Sequence, residues 1–304
     1  MPQFRPYTSN DLPEVLQFVG KCFLDDHFTH YHPGDIVHWM SSEHKGGGLD
    51  EHFWLYEEKD ELIAFAELPR GEWAQYTLIT DSKLCESSLE LTLLAECQSI
   101  MQQRIKQNPP DKRVLSTHVA ASDQQRLEHL TNLGYHLKPS KRVVTLQSLN
   151  LPIPTPVLPD GFHIRSVASE DEADLVAEVH NRLFSPKWTG AEYLKVMRTP
   201  GFDIERELVV VAPDGRFAAF LIYWLDPMSR TGLFEPVGCH KEFQRRGLAK
   251  ALMYEAMTRM MDAGMTRAIV EHYSDNKSAA KLYSSVGFKE HFKTFDCEIH
   301  LDSE

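Results

Sequence analysis

The chain has 304 residues, more than one domain usually contains, so its length predicts two domains. Hydrophobic residues make up 42% and charged residues 25%, the proportions of a globular protein. The net charge of −12 argues against DNA or RNA as a main partner, because proteins that bind polyanions carry basic surfaces. An acidic chain suits neutral or cationic ligands better.

Membrane, disulfide and zinc signals are absent from the sequence. No apolar run approaches the roughly eighteen residues of a membrane span, and MPQFRPYTSNDL lacks the apolar core of a signal peptide. The five cysteines are an odd number without CxxC spacing, which favours neither a disulfide framework nor a structural zinc site. We therefore expect a cytoplasmic protein with no membrane partner, present as a monomer or homodimer.

The first half reads as one α/β unit. It begins with a short strand and an acidic helix in QFRPYTSNDLPEVLQFV. The alternation in FWLYEEKDELIAFAEL predicts two strands joined by a hairpin turn at Lys59 and Asp60. A helix in ESSLELTLLAECQSIMQQRI follows, and then a strand, a helix, the triplet LGY and a last strand.

The segment DDHFTHYHPGDIVHWMSSEH is rich in histidine but does not predict a metal site. Proline and glycine interrupt it, and it contains neither HExxH nor a helical histidine pair with a fixed carboxylate. We expect no metal here and interpret these residues as solvated loop histidines or as contacts to a substrate. They are His27, His30, His32, His38 and His44.

A proline-rich stretch, LNLPIPTPVLPDGF, divides the chain near its middle. Its closely spaced prolines disfavour both helix and sheet and predict an extended, semi-rigid linker. The predicted domains are therefore 1–150 and 161–304, joined by a linker at 151–160.

The second half repeats the plan of the first. FHIRSVASEDEADLVAEV again gives a short strand and an acidic helix, and ELVVVAPDGRFAAFLIYWL gives two strands with a turn at Asp214 and Gly215. A helix follows in RRGLAKALMYEAMTRMMDAG, with Gly264 at its end, and the triplet VGF stands where the first half has LGY. The repeat indicates duplication of one α/β unit. The alternative is two unrelated domains with chance similarity.

The segment EPVGCHKEFQRRGLAKALMYEAM predicts a phosphate site. A strand ends in Gly-Cys, a loop follows, and Gly247 opens a helix whose first N–H groups lack intrahelical acceptors. Arg245 and Arg246 add positive charge where the helix dipole alone disfavours cations, which makes sense beside a bound anion. GxxxxGK[ST] and GxGxxG are both absent, so the anion is expected to be a diphosphate bound in another way.

These residues resemble the GNAT superfamily of acyl-CoA-dependent N-acyltransferases. QRRGLA at 244–249 matches the signature Q/R-x-x-G-x-G/A, and NKSAAKLYSSVGF matches N-x-x-A-x-x-L-Y-x-x-x-G-F. The resemblance covers residues 161 to about 300, and the tandem layout is similar to that of mycothiol synthase. It implies an α/β fold (an α+β mixed sheet) of two tandem GNAT-like domains, each a mixed, mostly antiparallel sheet flanked by helices.

The resemblance also implies a cofactor and its contacts. Acetyl-CoA would be the acyl donor, its pantetheine arm paired with backbone groups at 237–239 and its pyrophosphate held by amides of the 245–249 loop. Asn276 would contact the cofactor near the thioester, and Tyr283 would protonate the departing thiolate, a role that suits a phenol. The implied cofactor-binding residues are Val237, Gly238, Cys239, Gln244, Arg245, Arg246, Gly247, Leu248, Ala249, Lys250 and Asn276. The competing interpretation of Tyr283 is a tyrosine that only packs in the core.

An amine acceptor would require a proton acceptor as well. A lysine-like amine has a pKa near 10.4, so freeing its lone pair at pH 7 costs roughly 4–5 kcal/mol. Glu235 is the first candidate because the two-residue period of a strand places it on the face of Val237 and Cys239. Glu271 and His272 come next, and a solvated carboxylate is the competing interpretation of Glu235.

The first half lacks the residues of the implied site. The glycine of the phosphate loop is missing there, and two carboxylates would oppose a bound phosphate. Leu130 stands opposite Tyr283, so the acid is missing too. We therefore expect the first half to be a degenerate GNAT-like domain. The residues opposite the loop are Cys85, Glu86, Ser87, Ser88 and Glu90.

Together these features predict an enzyme that transfers an acetyl group from acetyl-CoA to a primary amine by direct attack. The alternatives are a non-catalytic acyl-CoA sensor and an acyltransferase that uses another acyl group or an alcohol acceptor. The acceptor would be chosen by loops such as FSPKWTGAEYLKVMRTPGF. Trp188, Tyr193 and Phe202 could line its pocket, although core packing is the more frequent role of aromatic residues.

Overall fold

The computed structural model describes residues 3–24, 31–41, 49–70, 74–84, 87–110, 113–184 and 188–301. His27, His30, His44, Cys85 and Glu86 lie outside these ranges. The strands of the described part are β1 (Gln3–Pro6), β2 (Phe53–Glu58), β3 (Glu61–Glu67), β4 (Thr77–Thr80), β5 (Val114–Ala120), β6 (His136–Ser148), β7 (His163–Ser166), β8 (Glu207–Val211), β9 (Phe217–Asp226), β10 (Thr231–Cys239), β11 (Arg267–Tyr273) and β12 (Lys289–His300). The helices are α1 (Leu12–Leu24), α2 (Pro33–Ser41), α3 (Leu49–His52), α4 (Ser88–Gln107), α5 (Gln124–Asn132), α6 (Ala173–Asn181), α7 (Gly190–Met197), α8 (Leu248–Asp262) and α9 (Lys277–Ser285).

The chain forms two compact units whose segments interleave in sequence. The first unit consists of Met1–His32, Ser42–Val143 and Phe292–Glu304, and the second consists of Pro33–Ser41 and Val144–His291. Helix α2 therefore belongs to the second unit although it lies in the first half of the sequence. The proline-rich stretch carries no helix or strand, and Leu151 and Val157 within it are exposed.

The first unit contains a four-stranded antiparallel sheet in the order β1-β2-β3-β4. Lys59 and Asp60, both with positive φ, form the hairpin turn between β2 and β3, as the sequence predicts. Strand β12 pairs antiparallel with β5 in the same unit, from Val114–His300 to Ala120–Thr294. The C-terminal strand thus completes the unit that the N-terminal segment begins.

The second unit contains a mixed, mostly antiparallel sheet. Strands β7, β8, β9 and β10 pair antiparallel in that order, and β10 pairs parallel with β11. Gly215, with a φ of +85°, sits in the turn between β8 and β9. Thr145, in the last part of β6, donates a hydrogen bond to the carbonyl of Val270 on β11 at 2.9 Å.

Two apolar clusters cover the two faces of this sheet. One contains the buried side of α8 with Tyr283, Val286 and Phe288, and the other contains the buried sides of α6 and α7. Helix α8 buries the apolar residues of one face, whereas Met261 is exposed; the buried residues are Leu248, Ala251, Leu252, Met253, Ala256, Met257 and Met260. Ala263 is the C-cap of α8, and Gly264 follows it with a φ of +86°.

The last helices of the two halves of the sequence, α5 and α9, show the same local geometry at both of their ends. The side chain of Asp123 caps α5 by accepting a hydrogen bond from Arg126 N, and Asn276 caps α9 by accepting one from Ala279 N. After each helix a glycine with positive φ reverses the chain, and Tyr135 N and Phe288 N donate to the carbonyls of Leu130 and Tyr283 respectively. This agreement supports the pairing of Leu130 with Tyr283.

Within the described ranges, no helix is long and apolar enough to cross a membrane. The same ranges contain no group of three or more histidine, cysteine, aspartate or glutamate residues that could hold a metal ion. Cys22, Cys97, Cys239 and Cys297 are free thiols.

Candidate active site

A β-bulge interrupts β10 at the centre of the second unit. Leu221 of β9 pairs with Val237, and Tyr223 pairs with Phe234. Glu235 and Pro236 together therefore stand opposite one residue of β9, Ile222. The indole Nε1 of Trp224 donates a hydrogen bond to the carbonyl of Glu235 at 2.8 Å and anchors the bulge.

The parallel pairing of β10 with β11 ends at the same level. Its register runs from Thr231–Arg267 to Phe234–Val270. Strand β10 continues to Cys239 and β11 continues to Tyr273, but in the described register these two strands do not pair with each other beyond Phe234 and Val270. The two strands therefore part beyond Phe234 and Val270, and we call the opening between 235–239 and 271–273 the splay.

The side chains beyond the bulge alternate between the two faces of the sheet. Val237 and Cys239 pack against the cluster of α8 and α9. Gly238 faces the other way, where a Cβ would lie 2.5 Å from Leu183 Cδ1 and 2.8 Å from Phe220 Cε1. A side chain at position 238 is therefore excluded by packing, and the strand lies close against the segment that follows α6.

A compact loop connects β10 to α8. The ring of His240 accepts a hydrogen bond from Glu242 N at 3.2 Å and caps a short 3-10 turn. Gln244 Nε2 donates to the carbonyl of Cys239 at 3.1 Å, which ties the loop back to the strand end. Arg245 and Gly247 then adopt left-handed backbone conformations, with φ of 63° and 79°.

The backbone N–H groups of this loop are available to a ligand. None of the described residues accepts a hydrogen bond from the backbone amides at positions 245–250. Gly247 is the N-cap of α8 without a side-chain cap, and a Cβ built on it would meet nothing within 4 Å. Left-handed turns that point successive amides to one side form anion-binding concavities, and the helix N-terminus adds partial positive charge. The loop is therefore suited to hold a phosphate group.

The cationic side chains around the loop differ in their contacts. The guanidinium of Arg246 lies 5.7 Å from the ring centroid of Phe243 and 6.0 Å from that of Phe162. Neither Arg245 nor Arg246 forms an ion pair in the part of the chain that the structure describes. Lys250 Nζ instead donates to the carbonyl of Ser285 at 3.0 Å, so its ammonium group is engaged at the end of α9.

Tyr283 lies on α9 beside the splay. Its side chain is buried, and its ring packs against His272 of β11 at 5.8 Å and against Phe288 at 6.2 Å between centroids. Burial, and next the negative charge of Glu235, raise the pKa of Tyr283 above its usual value. Its hydroxyl makes no hydrogen bond to the described chain, so it is a protonated donor without a protein acceptor.

Glu235 thus comes close to Tyr283, although not for the reason that the sequence offers. The bulge breaks the two-residue period between Phe234 and Val237, so the period alone does not place Glu235 on the face of Val237 and Cys239. The negative charge of Glu235 nevertheless contributes, after burial, to the raised pKa of Tyr283. The side chain of Glu235 is half-buried.

Asn276 has a structural role at the start of α9. Its Oδ1 accepts a hydrogen bond from Ala279 N at 3.1 Å and caps the helix. The residue is exposed, and its amide nitrogen makes no hydrogen bond to the described residues. The side-chain oxygen of Asn276 therefore caps the helix that carries Tyr283, while its amide nitrogen is available to a ligand.

Cys239 lies in the splay, but its thiol is unreactive. Burial raises its pKa to about 11, so the sulfur is protonated at neutral pH. A thiolate nucleophile is therefore not available at this position under physiological conditions.

Of the aromatic residues proposed for an acceptor pocket, Tyr193 is buried, whereas Trp188 and Phe202 are half-buried and pack against the same cluster. The Tyr193 hydroxyl donates to Glu207 Oε1 at 2.6 Å, Trp188 packs 5.5 Å from Tyr193, and Phe202 packs 6.0 Å from Trp224. Glu207 is fully buried, and burial raises its pKa to about 8. No sequence signal marks this buried acid, since Glu207 stands at the start of an apolar strand, where a solvated residue would also stand.

The corresponding helix start in the first unit is closed by its own side chains. Ser87 caps α4 by accepting from Glu90 N at 3.4 Å. Glu90 is fully buried, where it accepts hydrogen bonds from Thr80 Oγ1 and Arg126 Nε at 2.8 and 3.1 Å. The carboxylate of Glu90 therefore does not line an open loop, because it turns inward to the guanidinium of Arg126.

The sequence interpretation also missed the bulge. GLFEPVGC looks like one uninterrupted strand, yet Pro236 in its interior carries a signal, since proline cannot donate to a ladder and is confined to edges and bulges.

The sequence is similar to that of known acetyltransferases. Residues 174–288 match the model of the acetyltransferase (GNAT) family. The mycothiol acetyltransferase of Paenarthrobacter aurescens is 25% identical over 185 residues, and the match covers 57% of this chain and 57% of that protein. The chain thus matches little more than half the length of this curated relative.

Two solved structures share the fold over nearly the whole chain. A GCN5-related N-acetyltransferase from Sphaerobacter thermophilus superposes with a TM-score of 0.66 at 19% identity, covering 98% of this chain and 95% of that one. A tandem GNAT protein from the clavulanic acid biosynthesis pathway superposes with a TM-score of 0.69 at 13% identity, covering 100% of both. The chain therefore has the tandem fold that its repeated halves predict.

Proposed function

We propose, from the match of residues 174–288 to the model of the acetyltransferase (GNAT) family and from the geometry of this site, that the chain transfers an acetyl group from acetyl-CoA to a primary amine of a small molecule or peptide. The observation that carries the proposal is the loop before α8. Six consecutive amides at 245–250 lack acceptors in the described chain, Gly247 caps the helix without a side chain, and the adjacent splay leads to a protonated tyrosine.

The loop suits the pyrophosphate of acetyl-CoA. The amides of Arg245, Gly247 and Ala249 supply the donors, and α8 supplies the dipole. The pantetheine arm extends along β10, where backbone groups of Val237 and Cys239 border the splay. Gln244 keeps the strand end and the loop in register through its bond to the Cys239 carbonyl.

The chemical step is a direct attack. The amine nitrogen forms a bond to the thioester carbonyl carbon, and the tetrahedral intermediate collapses by breaking the C–S bond. Tyr283 gives its proton to the leaving sulfur, and the attacking nitrogen loses one proton to a base. The products are an amide and free CoA, so atoms and charges balance. A raised pKa keeps Tyr283 protonated, as an acid in this role requires.

An acyl-enzyme route is disfavoured by the state of the available thiol. Cys239 is the cysteine of the described second unit, and its pKa of about 11 leaves it protonated where a thiolate would be needed. We therefore propose that amine and acetyl-CoA are bound together before reaction. The carboxylate of Glu235 beside Tyr283 supplies negative charge that favours a cationic amine over a neutral alcohol.

A thiol-release assay tests the proposal. Acetyl-CoA is offered with a panel of simple amines, amino acids, aminoglycosides and peptides, and free CoA is measured by a thiol reagent. We expect release that depends on one class of amine. Binding of acetyl-CoA without turnover on any acceptor would indicate a sensor, and equal turnover with propionyl-CoA or with alcohols would indicate a broader acyltransferase.

A further inference from the structure

His272 lies on the wall of the splay opposite to Glu235. It belongs to β11, two residues beyond the last residue that pairs with β10. Ala268 and Val270 of the same strand are buried in the cluster of α8 and α9, so the two-residue period places His272 on that face. The ring contact with Tyr283 agrees with this placement.

One nitrogen of His272 is fixed by the backbone. Nδ1 lies 3.0 Å from the carbonyl oxygen of Tyr273. A carbonyl oxygen only accepts, so this contact is a hydrogen bond only when Nδ1 carries the proton. In the neutral ring the lone pair is then on Nε2, the tautomer that a proton acceptor needs.

The second nitrogen of the ring has no partner in the part of the chain that the structure describes. His272 is half-buried, and Nε2 makes no hydrogen bond with any residue that the structure describes. Its ring centroid lies 5.8 Å from that of Tyr283, with the planes inclined by 45°. The group that gives a proton to sulfur and a group able to take one from nitrogen are therefore neighbours.

We propose that His272 Nε2 accepts the proton of the attacking amine and returns it to Tyr283 after the thiolate has left. This inference rests on the proposed function. The nitrogen loses its proton to His272 as the C–N bond forms, and Tyr283 protonates the sulfur as the C–S bond breaks. Proton transfer from the imidazolium to the phenolate then restores both side chains. Glu235 provides charge that attracts the ammonium form of the substrate, which releases its extra proton to solvent before the attack, and Glu235 is not the acceptor of the second proton.

Kinetics of the variant His272→Gln test the assignment. With acetyl-CoA and the fastest amine of the panel, we expect kcat/KM to fall by about 10²-fold at pH 7. The deficit should shrink as pH rises, because hydroxide can then take the proton that the missing imidazole no longer accepts. The affinity for acetyl-CoA should not change. His163→Gln, an exposed histidine of the same unit, is the matched control. An unchanged rate in His272→Gln would overturn the proposal.

A double variant separates a proton circuit from simple packing. If His272 and Tyr283 act as one unit, His272→Gln combined with Tyr283→Phe should be no slower than the slower single variant. Losses that multiply would contradict the circuit. Circular dichroism and melting of each protein verify folding, and His272→Asn replaces the glutamine variant if that one does not fold.

Nitrogen NMR gives a test without any amine substrate. The imidazole signals of the full-length protein are assigned by comparison with His272→Gln, and we expect the pattern of the Nδ1-protonated tautomer. An Nε2-protonated ring would overturn the inference. If no amine is acetylated, the proposed function fails while the tautomer result still stands on its own.

Discussion

Tyr283 is the residue on which the proposed acetyl transfer depends most. Its phenol is buried beside Glu235 and His272 and remains protonated because burial and the nearby carboxylate raise its pKa. The sequence proposes this residue through its motif, and the structure adds a physical reason why its phenol stays protonated.

Replacing Tyr283 by phenylalanine should separate binding from chemistry. The ring and its packing remain while the proton donor is lost, so turnover should fall by roughly 10²-fold or more. Calorimetry should give nearly unchanged affinity for acetyl-CoA. Tyr254→Phe on α8 is a matched control in the same unit and should keep its turnover. Full activity in Tyr283→Phe would show that another group protonates the thiolate.

Cys239 should react with alkylating reagents as a thiol of high pKa. Only the thiolate is alkylated, so labelling by iodoacetamide should be slow at pH 7 and should rise about tenfold per pH unit until about pH 11. Peptide mass spectrometry after timed labelling measures this rate. A plateau near pH 8.5, where an ordinary thiol is ionised, would contradict the burial argument.

Among the elements, the start of α8 was predictable from sequence and the shape of β10 was not. Gly247 and the preceding arginines indicate an anion at a helix N-terminus, and the structure places that helix at Leu248–Asp262. The bulge at Glu235 depends on pairing with β9, and the cap formed by Asn276 depends on the local conformation of α9. Pro236 signals a break in β10, but the pattern along one strand does not show how the strand pairs with its neighbour.

Gly247→Val should abolish acetyl-CoA binding. The side chain would enter the open space over the loop and would be strained at a φ of 79°. Gly264→Val, at the other end of α8, is the control for the effect of backbone strain alone, because φ there is 86° and a Cβ also meets nothing within 4 Å. Calorimetric titration should show loss only in Gly247→Val. Equal affinity in the two variants would remove the phosphate-loop argument.

Glu207 should make stability depend on pH. Its folded pKa of about 8 lies above the ordinary value of 4.5, so between these pH values the folded state holds a proton that the unfolded state has lost. Stability therefore falls as pH rises through this window, by on the order of a few kcal/mol in total. Glu207→Gln removes the ionisable group and retains an oxygen that can accept from Tyr193.

Urea unfolding from pH 5 to pH 9 measures the effect of this substitution. The glutamine variant should gain stability relative to the wild type as pH rises, whereas Glu170→Gln, at an exposed surface ion pair, should follow the wild type. Parallel curves for Glu207→Gln and the wild type would contradict the burial of a neutral acid.

At the scale of the whole molecule, the sequence predicts the tandem fold because both halves repeat the same order of elements. The interleaving of segments between the two compact units could not be predicted. Helix α2 lies in the unit formed mainly by the second half of the sequence, and most of β12 lies in the unit formed mainly by the first half, so both placements depend on long-range contacts. The division at 150 and 161 and the loss of cofactor binding in the first half stay predictions.

The full chain should bind one molecule of acetyl-CoA. In the first unit the start of α4 is capped by Ser87, and Glu90 is bonded inward to Arg126, so no equivalent set of free amides is expected there. Calorimetry of the wild type should therefore give a stoichiometry near one. A second site that survives in Gly247→Val would contradict the assignment of the first unit as degenerate.

The most direct test of the account follows the acetyl group itself. Acetyl-CoA labelled with a heavy isotope at the carbonyl carbon is incubated with the protein and the amine panel, and the carbonyl signal is observed by NMR. We predict that the thioester signal is replaced by that of an amide, with one class of amine and only when Tyr283 is present. A thioester that persists with every amine, or that is converted only to acetate or an ester, would contradict the account.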